Sequence, residues 1–119
     1  MKKNVIYLCF LLVAVACSTS KKAVNVQYNL SNNVVITGGD GYSFDKAKVV
    51  IAKNSREGIA SEYEYLDKVY GKMHTDWVLV SQSLQYYKKK PFDVLKIKLI
   101  KNNKELRVHF NISSFFGKY

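Results

Sequence analysis

Leu95-Lys96-Ile97-Lys98-Leu99 and Leu106-Arg107-Val108-His109-Phe110-Asn111-Ile112, joined through Ile100 to Glu105, decide the fold. In each run apolar and polar side chains alternate, the period-two pattern of a strand with one buried face. Asn102-Asn103 lies midway, and asparagine tolerates the left-handed backbone angles of a tight hairpin turn. A two-residue loop pairs Leu99 with Leu106, Ile97 with Val108 and Leu95 with Phe110. A four-residue loop changes the partners and keeps the faces, whereas a three-residue loop sets apolar against polar. An antiparallel hairpin with an even loop follows. On its polar face Lys98 meets Arg107 and Lys96 meets His109 in the shorter loop; in the longer one Lys98 meets His109. Either arrangement gathers Lys96, Lys98, Arg107 and His109 into a basic patch, at a cost, because like charges directly opposite repel. The patch reads first as a solvated outer face and second as a surface for an anionic partner.

Upstream, Trp77 to Tyr87 is strand-like and Lys88-Lys89-Lys90-Pro91 is a polar connection. Before it lies the one long helix. Ser55 can cap it, Glu57 suits the positive end of its dipole, and Gly71 can end it in a left-handed turn. Ile59, Tyr63, Leu66, Tyr70 and Met73 recur at helical spacing and predict one apolar stripe. Glu64 and Lys68 form a favourable pair on the opposite side. Nearer the start, Val24, Val26, Tyr28 and Leu30 alternate with polar residues as a strand. Ser31-Asn32-Asn33 is a turn, and Val34 to Thr37 and Val49 to Ala52 are short strands. The expectation is an α+β domain, an antiparallel sheet of about four to six strands with one main amphipathic helix packed on one face.

Chemistry-bearing motifs are sparse. Gly38-Gly39-Asp40-Gly41-Tyr42-Ser43 lacks the lysine and spacing of a phosphate-binding loop and reads as a tight turn, with Ser43 capping one helical turn through Ala47. Asp40 and Asp45 are too few oxygens for a calcium loop. His74 and His109 are the only histidines, in no metal-ligand spacing, and no nucleophile motif accompanies them. No enzyme, metal or cofactor is expected. The aromatic residues read first as core and second as an aromatic surface for a partner, where Tyr and Trp are enriched.

The N-terminus says where the chain works. Lys2 and Lys3 precede an apolar run from Val5 to Ala16, too short for a bilayer core of about 30 Å, which takes roughly 20 residues as helix. A basic start, a short apolar core and then small residues describe a secretory signal. Its end, Ala14-Val15-Ala16-Cys17-Ser18, resembles the lipobox of bacterial lipoproteins. That resemblance implies a signal peptide over residues 1–16, lipid attachment at Cys17, a tether over 17–23 and a single domain over 24–119. Cys9 would leave with the signal, so the domain would hold neither a free thiol nor a disulfide. Ser18 points to the outer membrane, and Lys21 and Lys22 to its periplasmic side.

The chain carries a formal net charge of +10. From Trp77 to Tyr119, nine basic residues face only Asp93 and Glu105, a field that draws anionic partners. Nucleic acid is the usual partner of such a field, but an exported, lipid-anchored chain does not meet it. An acidic protein or an anionic envelope component fits better. Gly38 to Ala47, Glu57-Gly58-Ile59-Ala60-Ser61-Glu62-Tyr63 and Asn111 to Lys118 are similar to a small bacterial family without an assigned activity, over most of the domain. The resemblance implies one compact domain and carries no functional residues. The expected function is a lipid-anchored envelope binding or structural module. The alternative is a periplasmic immunity or inhibitor lipoprotein that blocks a toxin or envelope enzyme.

Overall fold

A computed structural model of the chain describes residues 26–119. The signal segment, Cys17, the tether and Val24 lie outside the described residues. Six strands and one helix follow in the order β1 (Tyr28–Asn29), β2 (Val35–Gly38), β3 (Lys48–Ile51), α1 (Ser55–Tyr70), β4 (Trp77–Tyr87), β5 (Lys90–Leu99) and β6 (Glu105–Asn111). They form one sheet in the order β1-β2-β3-β6-β5-β4, an α+β fold.

The sheet is mixed rather than wholly antiparallel, because β3 and β6 pair in parallel, Lys48 opposite Phe110 and Val49 opposite Asn111. The helix explains this correction. A chain that leaves β3 through a helix returns on the same side of the sheet and starts its next strand in the same direction. Here that strand is β4, at the far edge, and the β4-β5-β6 meander walks back until β6 lies beside β3.

The β5–β6 hairpin keeps the faces expected of an even loop. Leu99 N–H donates to Lys104 O at 2.8 Å, leaving Ile100 to Asn103 as a four-residue loop with Asn103 left-handed at φ 57°. Ile97 faces Leu106 and Leu95 faces Val108, so apolar meets apolar. The partners on the other face differ from both expected sets. Lys96 faces Arg107, Lys98 faces Glu105, and His109 faces Val94. The loop sits nearer β5 than Asn102-Asn103 alone suggests, because Ile100 N–H is held by Asp76 O at 2.9 Å.

The β4–β5 turn is tighter than expected. Only Lys88 and Lys89 turn, at φ 50° and 66°, while Lys90 and Pro91 already belong to β5. Two positive φ angles match a type I′ turn, normally the place of Asn-Gly.

The helix starts one residue earlier than its expected cap. Asn54 Oδ1 accepts from Glu57 N–H at 2.9 Å, and Ser55 instead ties in the chain end, donating its N–H to Lys118 O at 2.6 Å. Gly71 ends the helix at φ 102°, ψ −166°, positive in φ but outside the left-handed helical region. The buried face is Gly58, Ser61, Glu62, Tyr65 and Leu66. It shares Leu66 with the expected stripe and is rotated from it by about one residue, roughly 100° of helix. Ile59 is exposed and Tyr63 and Tyr70 lie at the margins. Small residues cause the rotation. Phe115 packs so closely that a Cβ at Gly58 would lie 2.5 Å from its ring, so that ring occupies the groove a larger residue would fill.

The main core lies between α1 and the sheet, with Ile36, Val50, Leu66, Leu95, Ile97, Val108 and Phe110 fully buried or nearly so. Trp77 closes its far end, its indole N–H donating to Gly71 O at 2.8 Å. The sheet's other face is not bare. The loop after β2 folds over it and lays Phe44 against Tyr87, Phe92 and His109, ring centres 4.8, 5.2 and 4.7 Å apart. That loop turns at Gly38 and Gly41, both at positive φ, and Ser43 Oγ accepts from Lys46 N–H at 3.2 Å.

Candidate functional site

Of the four residues expected to form a basic patch, the structure leaves three at the surface. His109 is only 8 % exposed, lies under Phe44, and its Nδ1 is 2.9 Å from Gly41 O. It is largely buried on the same sheet face as Lys96 and Arg107, and with them and Tyr42 it lines one hollow of about 440 Å3. Lys96 reaches Glu105 at 3.1 Å, and Lys98 lies opposite the same glutamate. The patch is therefore partly neutralised, with Arg107 its most exposed member. Like charges do meet at Lys96 and Arg107, and Glu105 offsets that repulsion.

The feature the sequence hides is the strand next to these lysines. β4 runs eleven residues, Trp77–Tyr87, and is one of the two edge strands of the sheet. It carries no charged residue and no proline. Among the described residues only its start is covered: Met73 bridges to Trp77, and His74 N–H donates to Trp77 O at 2.7 Å. From Val80 to Tyr86 every residue is exposed. Natural sheets protect such edges with charges, prolines, bulges or short strands. Here one bulge lies at Val80 and the rest of the edge is undefended.

The surroundings of that edge are both apolar and basic. Leu84, Tyr86, Ile59 and Phe116 are all exposed, with Phe116 edge-on to Tyr86 at 6.2 Å. Lys96 and Lys98 pair with Ser81 and Val78 of β4, and Lys88 to Lys90 stand at the strand's end. Among the described residues neither Lys89 nor Lys90 has an ion-pair partner, while Lys88 lies 3.7 Å from Asp45.

Beside Leu84 a hollow of about 220 Å3 opens between α1, β4 and the chain end, with Asp93 in its wall. Behind Asp93 is Glu62, completely buried. Both Glu62 carboxyl oxygens lack a donor in good hydrogen-bond geometry. Two unprotonated carboxyls have nothing to donate, so the pair holds together only through a proton on one of them. Burial first, then a hydrogen bond to Asp93, then the Asp93 charge push the Glu62 carboxyl well above the ordinary carboxylate range. Burial above all also raises the Tyr63 phenol, whose hydroxyl donates to Gln82 Oε1 in β4 at 3.1 Å. Glu62, its carboxyl pushed up chiefly by burial, thus sits in the seam between helix and sheet, one strand in from the open edge. The sequence offered a signal for it, since Glu62 is one turn from both Gly58 and Leu66.

Among the described residues no three His, Cys, Asp or Glu side chains gather to hold a metal ion. No helix among them is long and apolar enough to cross a membrane. No family model, curated protein or solved structure matches the chain.

Proposed function

We propose that this chain is a lipid-anchored envelope binding module that takes up an extended segment of an acidic protein along β4. The observation that carries the reading is the long, uncharged, exposed edge of β4. An edge strand presents a row of unpaired N–H and C=O groups, and an added strand satisfies them while its side chains give specificity. The lysines at the end of the strand and in β5 select acidic residues at the ends of that segment, and the Cys17 lipid keeps the module at the membrane. The lipobox resemblance supports the anchor, because Cys17 is the only cysteine that would remain after cleavage. Labelling cells with a fatty acid is expected to mark the protein and to miss Cys17→Ser; equal labelling of both contradicts the anchor.

The turn at Lys88-Lys89 provides a test of binding separate from folding. Left-handed angles cost a side-chain-bearing residue roughly 1–2 kcal/mol, and strain of this kind is retained where it serves function. Replacing Lys88 and Lys89 with Asn and Gly is expected to stabilise the domain by about 1–2 kcal/mol in a denaturant titration. The same variant is expected to recover less of the crosslinked partner from cells, with a weaker salt dependence, since exposed charge contacts are screened within about 8 Å at physiological ionic strength. A stabilised variant with unchanged recovery and salt profile contradicts the lysine role.

The same turn favours a second reading, an immunity or inhibitor lipoprotein whose lysine tip enters the acidic cleft of a toxin or envelope enzyme. A toxin-like protein encoded beside this chain, inhibited by it and not by the Asn-Gly variant, distinguishes that reading.

A further inference from the structure

At the opposite edge of the sheet from β4, a pocket of about 230 Å3 opens between β1, the loop after β2 and the second half of α1. At its base is Lys48, a residue only 3 % exposed. Its Nζ lies over two rings, 5.5 Å from the centre of Tyr28 and 5.6 Å from that of Tyr65. Among the described residues it has neither a hydrogen bond nor a carboxylate within ion-pair distance. The stem of Lys48 passes beneath Gly41, where an added Cβ would lie 3.5 Å from its Cγ, so the loop holds the ammonium at the pocket.

Buried charges are ordinarily paired. Tyrosine faces offer part of the compensation, and Asp40 acts on Lys48 from a distance. These do not balance the loss of water, since burial lowers the Lys48 pKa and Asp40 raises it by less. The pocket also holds hydroxyls. Tyr42 and Tyr70 are bonded to each other at 2.7 Å, which uses one of their two protons and leaves the other to donate. Burial first, then that bond, raises the Tyr70 phenol, and burial raises Tyr65 likewise. These two phenols remain neutral donors at neutral pH.

We propose that this pocket binds a small monocarboxylate with an apolar body, its carboxylate on Lys48 and the free hydroxyl of the Tyr42–Tyr70 pair. The volume, about 230 Å3, is below the roughly 300–1,000 Å3 of drug-sized ligand sites and suits a small ligand. Val26 and Val69 beside the tyrosine rings suit an alkyl or aryl body. Asp40 in the wall selects against a second negative charge, so a dianion such as phosphate is disfavoured. The site is independent of the β4 reading.

The test titrates the purified protein with butyrate, benzoate and inorganic phosphate, following tyrosine ring signals by NMR and heat by calorimetry. Butyrate and benzoate are expected to shift the Tyr28, Tyr42, Tyr65 and Tyr70 rings, and phosphate to bind more weakly. Lys48→Met, which keeps the stem and removes a buried charge, is expected to fold and to bind about ten- to hundredfold more weakly, the loss of a charge-assisted hydrogen bond. The carboxylates are expected to weaken as rising pH deprotonates Lys48, with Asp40 and the four tyrosines the other groups facing the site. Dimethylation of Lys48 by formaldehyde and borohydride, slowed by benzoate, reports binding at Nζ directly. Equal carboxylate binding by the wild type and Lys48→Met overturns the proposal. So does tighter binding of phosphate than of butyrate, or the absence of ring shifts at millimolar carboxylate.

Discussion

Leu66→Ala is expected to cost about 2–5 kcal/mol, the range for removing a buried leucine side chain and leaving a cavity behind. Leu66 is completely buried at the middle of the one helix, among the residues of the main core. A domain of this size has only about 5–15 kcal/mol of stability, so a large part of the population is expected to unfold at physiological temperature. Lys68→Ala, two residues along on the exposed side, is expected to change the denaturant midpoint little. Similar midpoints for the two variants would place the helix face wrongly.

Glu62→Gln is expected to stabilise the protein at neutral and alkaline pH and to have little effect near pH 4. Glu62 has a raised pKa in the folded state and an ordinary one in the unfolded chain. Below the ordinary carboxylate range both states hold the proton, and the buried acid is tolerated. As pH rises from that range towards the raised value, the unfolded chain loses its proton while the folded one keeps it, so stability falls. Above the raised value the penalty is constant. Glutamine keeps the shape, cannot ionise, and offers Asp93 an amide proton throughout. The expected gain is about 1–3 kcal/mol, the cost of an unsatisfied buried polar group. Asp93 and Tyr63 are the titratable neighbours, and Asp93→Asn combined with Glu62→Gln removes the local pH dependence. A variant that is destabilised at pH 8, or whose stability curve runs parallel to that of the wild type, contradicts the protonated pair.

The hairpin around Asn102-Asn103 was legible because its signal is local. Leu95, Ile97, Val108 and Phe110 declare their face by alternation alone, and parity excludes the odd loop. The helix was legible in extent and less so in face. Tyr63 and Tyr70 count as apolar in a stripe, yet their hydroxyls keep them at the margin, while Gly58 counts for nothing and admits Phe115. Strand order depends on contacts far apart in the chain, so neither the parallel β3–β6 pair nor the edge position of β4 is written in any window of residues. The basic residues of the candidate surface were readable and their surroundings were not. Glu105 neutralises Lys96, and Phe44, distant in sequence, covers His109. The open edge emerges only when β4 is found last in the sheet with nothing charged along it.

The uncovered edge carries the functional account, and site-specific photocrosslinking in intact cells tests it most directly. A photoreactive residue at Ser83, in the middle of the exposed part of β4, is compared with one at Lys68 on the outer side of α1. The account predicts that Ser83 yields a discrete adduct with an acidic protein and that Lys68 does not. No adduct from Ser83, or the same adducts from both positions, contradicts recognition along β4.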